Sequence, residues 1–124
     1  MQFWGEDEDD DSLVREVIEG KKTATVCKAD EYYLPEGEYD DGGWEVGDVV
    51  EVYDNRKRLR CYIEITDVYK TTFGHFPDKL WKEEACRDAE HFRKAHRYCW
   101  PNYNLTDDFE MMATHFRLVK VIEY

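Results

Sequence analysis

The spacing of apolar residues changes once near the start of the chain, and that change fixes how the fold can begin. Leu13, Val14, Val17 and Ile18 recur on one face of a helix, and Gly20 ends it. Asp11 or Ser12 can cap this helix. The chain then alternates through Thr23–Cys27, a short run of strand formers entered straight from Gly20. Such a junction sets side chains of alternating direction at the mouth of a barrel. Lys22 and Ala24 point one way and Thr23 and Thr25 the other, although an irregular strand start still lets Lys22 and Thr25 converge.

The remaining order is helix-poor until late. Lys28–Glu45 has no clear period and holds Tyr32, Tyr33, Tyr39 and Trp44 among acids and glycines. Val49–Tyr53 reads as a strand, Asp54-Asn55 as a reversal and Leu59–Val68 as the return strand. Pro77 opens a helical region. Leu80, Trp81 and Ala85 line a first helix there, and Phe92, Ala95 and Cys99 line a second that ends before Pro101. Phe116–Ile122 closes the chain as a strand. This order suits a single α+β domain over 1–124, a small mixed β-barrel with peripheral helices, which the period alone does not separate from other α+β folds; residues 1–11 form an acidic N-terminal segment.

With 17 basic and 29 acidic residues the net charge is −12. A protein that grips many phosphates needs the opposite sign, so duplex DNA is excluded as a partner. No run of 18 apolar residues occurs, so no membrane partner is expected. Cys27, Cys61, Cys86 and Cys99 form no CxxC pair and read as reduced thiols of a cytoplasmic protein. Cys86, His91, His96 and Cys99 lack zinc-ligand spacing. The sequence calls for no metal and no cofactor. It is silent on oligomeric state.

Gly20-Lys21-Lys22-Thr23-Ala24-Thr25 resembles the G-x-K-x-x-T signature of the ASCH family, a branch of the PUA-like β-barrels. Glu45–Val50 is similar to that family's "vGD" turn, Ile63–Val68 to its central strand and His115–Val119 to its closing strand. Phe3–Asp7 and the Phe92–His96 helix resemble one bacterial subgroup. The resemblance spans nearly the whole chain.

That resemblance implies a PUA-like fold and a link to RNA. Similar members include an amidohydrolase that deacetylates N(4)-acetylcytidine, and others are RNA-binding modules or ribonucleases. Carried over by position, the working lysine is Lys22 and the threonine Thr25. The working acid falls on Asp88, with Glu84 as the alternative. An aspartate there is one methylene shorter than the family's glutamate, and Cys27 stands where the amidohydrolase has arginine. In amide hydrolysis, threonine supplies a nucleophile, lysine a base or oxyanion holder, and the carboxylate a proton relay.

The expected function is therefore a small hydrolase acting on a modified nucleoside or RNA base, with nucleoside or single-stranded RNA as partner. A non-catalytic RNA-binding module or an ASCH-type ribonuclease is the alternative. Lys21, Tyr32, Tyr33 and Trp44 are candidate substrate contacts, since aromatic faces stack bases. Arg56, Lys57, Arg58 and Arg60 form a basic cluster able to meet phosphates. Each also has a plain structural reading, as a solvated turn or as a loop folded onto the barrel.

Overall fold

The computed structural model describes residues 10–29, 44–101 and 103–122. Tyr32, Tyr33, Phe3–Asp7 and most of the acidic opening lie outside the described residues.

Helix α1, Ser12–Ile18, buries Val14 and Val17. Asp11 holds its N-cap position without a capping bond. Its carboxylate goes instead to Arg15 at 2.8 Å and Arg60 at 3.0 Å, while Asp10 accepts the Ser12 N–H at 3.1 Å. The helix stops in a Schellman turn. Gly20, at φ 77°, donates to the Val17 carbonyl, and Lys21 N–H donates to that of Glu16.

Strands β1, Ala24–Lys28, β2, Val49–Tyr53, β3, Leu59–Thr72, and β4, Glu110–Val121, form one antiparallel sheet in the order β1-β4-β3-β2. Between β3 and β4 lie helix α2, Asp78–Glu83, and helix α3, Ala89–Cys99. No helix among the described residues is long and apolar enough to cross a membrane.

Both long strands outrun their sequence pattern. β3 continues past Val68 to Thr72 and β4 begins at Glu110, because these stretches pair with each other from Val68↔Thr114 to Thr72↔Glu110. Register shifts after Tyr62 and between Ile65 and Asp67 bend the pair and curl the sheet into a half-barrel. The second shift also exchanges faces. Ile63 and Ile65 join α1 in a cluster with Val50, Val52 and Phe116, whereas Tyr69 and Phe73 join Leu80, Phe92 and Ala113 beneath α2 and α3. A single period cannot describe a strand that changes sides. Ala85 lies beyond the end of α2 and is exposed, so it does not pack with Leu80 as its spacing suggested.

The β2–β3 turn is held by Asp54, whose side chain is only 2% exposed. It accepts the backbone N–H groups of Arg56 and Arg58, Nε of Arg58 and a guanidinium N–H of Arg60 at 2.9–3.1 Å. Burial raises the pKa of this carboxyl, but the four donors outweigh it and leave the pKa below the usual carboxylate value. Asp11 is lowered too, first by the Arg60 hydrogen bond. Depressed pKa values contribute stability that is complete above the unfolded value of 3.8 and fades as pH falls through the folded value. Acid unfolding is therefore expected to begin below about pH 4. Asp54→Ala should destabilise by about 2–3 kcal/mol and flatten that acid limb, as urea midpoints measured at pH 3 and pH 7 will show.

Candidate functional site

Two helix ends meet at one place. After the Schellman turn of α1, Lys22 N–H still donates to the Glu16 carbonyl, so Lys22 precedes the regular alternation of β1. Facing it, Glu84 is the C-cap of α2, and a second Schellman turn follows. There Ala85 N–H donates to the Lys82 carbonyl and Cys86 N–H to that of Trp81. Thr23 N–H donates to the Glu83 carbonyl at 2.6 Å and ties the two ends together.

Lys22 Nζ donates to Glu84 Oε1 at 3.1 Å, with both side chains 6% exposed. Two such charges carry a desolvation penalty of several kcal/mol each, which their mutual attraction offsets only when the geometry is good. The second oxygen, Glu84 Oε2, is buried with no hydrogen-bond partner and lies 3.6 Å from His96 Nε2.

Glu83, the neighbouring acid, serves another chain of groups. Thr23 Oγ1 donates to its Oε1 at 3.0 Å, and His115 Nδ1 lies 3.1 Å from the same oxygen, angled away from a good hydrogen bond. His115 Nε2 is 2.7 Å from the Tyr69 hydroxyl, whose ring stacks on the imidazole. Burial, then the fields of Asp67, Glu83 and Glu84, push the Tyr69 hydroxyl up to about 12. It therefore keeps its proton at neutral pH. The thiols beside the site are held protonated as well. Burial, then Glu84, push Cys86 up to about 11, and Cys99 is raised for the same reasons. Thiolate chemistry is thereby disfavoured.

The other candidates are distributed as follows. Asp88 caps α3, accepting the His91 N–H at 2.7 Å, and Glu84 is the acid that reaches Lys22. Thr25 is half-buried opposite Thr114, on the strand face away from Ala24. Lys21 is exposed and pairs with Glu19 at 2.9 Å. Trp44 packs on the α1 cluster and lines an open depression with Asp48, Val49 and Tyr53, which shares no residue with the Lys22–Glu84 pair. Of the basic cluster, Arg58 and Arg60 are engaged by Asp54, and Arg60 also by Asp11. Arg56 and Lys57 are exposed on the turn.

A family model for the ASCH domain matches residues 1–120. The chain belongs to the ASCH domain family. Solved structures agree on the fold. An ASCH domain from Lactobacillus crispatus JV V101 is 20% identical, with TM-score 0.70 over 96% of this chain and 80% of its own. Protein EF3133 of Enterococcus faecalis V583 is 17% identical, with TM-score 0.70 over 95% and 76%. The S128A mutant of ZmASCH from Zymomonas mobilis is 12% identical, with TM-score 0.57 over 98% and 70%. No curated protein matches the chain. The fold is thus PUA-like, as the four ordered motifs implied.

Sequence reasoning passed over Glu83, His96, His115 and Tyr69. His115 stood in the closing-strand string and His96 was weighed only as a zinc ligand. Only long-range pairing brings either one to an acid.

Ala85 occupies the left-handed region at φ 62°, where the first Schellman turn has glycine. Left-handed backbone in a residue with a Cβ costs about 1 kcal/mol. Ala85→Gly should therefore raise stability by about 0.5–1 kcal/mol, measured by urea denaturation; a loss of stability would mean that the alanine methyl makes a compensating contact.

Proposed function

We propose that this chain is a small hydrolase that cleaves an amide on a modified nucleoside, with N(4)-acetylcytidine as the substrate to test first. The observation that carries this reading is the buried Lys22–Glu84 pair, placed where the family signature puts its working lysine and, by the alternative alignment, its acid. Charged groups so desolvated concentrate at functional sites. The reading assigns oxyanion stabilisation to the Lys22 ammonium and proton transfer to the leaving amine to Glu84; the nucleophilic hydroxyl, Thr25, is taken from the family string alone, since the strand turns it to the face away from Ala24. Asp88, engaged as a helix cap, has a structural task in this reading, and Glu84 takes its place as the acid.

A nucleoside or short single strand is the favoured partner. The net charge of −12 opposes a long polyanion, and two of the four clustered cations are already paired with aspartates. Few phosphate contacts imply a shallow salt dependence, about 0.7 in log K per contact for single strands.

The test is chromatography for cytidine after incubation with N(4)-acetylcytidine. Lys22→Ala should lower kcat/KM at least a hundredfold, about 2.7 kcal/mol, and Lys21→Ala should stay near the parent value. Equal losses from the two would remove Lys22 from the chemistry. A submicromolar affinity for a labelled single strand that falls steeply with salt would replace the hydrolase by an RNA-binding module.

A further inference from the structure

The two oxygens of Glu84 have unequal surroundings. Oε1 receives Lys22 Nζ, while Oε2 is buried and faces His96 Nε2 at 3.6 Å. The other nitrogen of His96 decides what stands between them. Nδ1 lies 2.8 Å from the Phe92 carbonyl, one helical turn back. A carbonyl has no proton to give, so Nδ1–H is the donor. A neutral His96 would then turn a lone pair on Nε2 toward a lone pair on Oε2. In a site this dry, two facing acceptors repel. The gap is also too short for a water, which needs about 2.8 Å on each side.

We infer that His96 is the positioning residue of Glu84, with a proton on either Nε2 or Oε2 so that a donor faces an acceptor across the 3.6 Å gap. Imidazolium with carboxylate, or imidazole with carboxylic acid, are two placements of that same proton. With Lys22 cationic, the triad then carries a net charge of +1. The groups around it fit that sign. Lys22 comes from the segment after α1 and is the cation on the opposite oxygen. Cys86 on the turn after α2 and Cys99 on α3 are both held neutral. Glu16 of α1 and Asp88 at the start of α3 add negative field at Cys86. The Phe92 and Trp100 rings enclose the imidazole at 4.1 and 5.0 Å between centroids.

The consequence for chemistry rests on the hydrolase reading. His96 passes its Nε2 proton to Oε2 and becomes a neutral imidazole that keeps Nδ1–H. Glu84 is then an acid able to protonate a leaving amine without drawing on solvent.

The experiment is NMR on the labelled full chain at pH 7, with no substrate present. Expected are His96 ring nitrogens both in the protonated range, or a Glu84 Cδ shift of a protonated carboxyl. In Glu84→Gln the amide donates to Nε2, so His96 should become the neutral Nδ1–H form. A neutral His96 beside an ionised Glu84 in the parent protein overturns the inference, as does an imidazolium that persists in Glu84→Gln. His96→Gln should lower kcat on the order of a hundredfold with KM little changed; a KM effect alone also counts against it. That proton in a protein that hydrolyses nothing sinks the hydrolase reading and leaves this pair standing. Hydrolysis with a neutral His96 does the reverse.

Discussion

The contact between Lys22 and Glu84 joins parts of the chain that nothing local would bring together. One group follows helix α1 and the other ends helix α2, and neither helix exceeds seven residues. Helices so short have little intrinsic stability. They hold their ends in place because each terminates in a Schellman turn and each packs an apolar face, Val14 and Val17 in one case and Leu80 in the other. The ion pair is thus set by two apolar clusters on opposite faces of the same curled sheet. Removing either charge alone would leave the other buried without its partner, a loss of about 3–5 kcal/mol.

Much of the frame was legible because it depends on local rules. The break at Gly20, the strand over Val49–Tyr53, the turn at Asp54 and the helix ending before Pro101 follow from glycine, proline and period. The length of β3 was hidden, because Lys70 and Thr71 give no apolar alternation and the strand changes faces after Ile65. The site was half legible. The signature string pointed to Lys22, but choosing between Glu84 and Asp88 requires knowing which carboxylate is occupied as a helix cap. His96 and His115 were invisible as partners of acids, since tertiary contact alone distinguishes them from other histidines on a helix or strand.

The acidic excess is unevenly used. Asp11 and Asp54 pair with Arg58 and Arg60 of the β2–β3 turn and clamp it to the start of α1. Glu84 instead is buried and Glu83 half-exposed, and each reaches a histidine. Acids thus do two separate tasks, holding a hairpin at one end of the sheet and building a polar interior at the other. A chain of net charge −12 thus encloses a buried lysine paired with a buried glutamate.

The sheet order has a consequence for how the protein comes into being. β4 lies between β1 and β3, yet it is the last of the four strands in the chain. On the ribosome, the β2–β3 hairpin can zip as soon as it emerges, because its pairs are close in sequence. β1 must wait for its hydrogen-bonding partner, since Ala24 pairs with His115. Lys22 is therefore synthesised early but enclosed late, once β4 has been added. A nascent chain keeps its polar interior open to solvent until that final strand slots into the middle of the sheet, and closing such distant contacts is the slow part of folding.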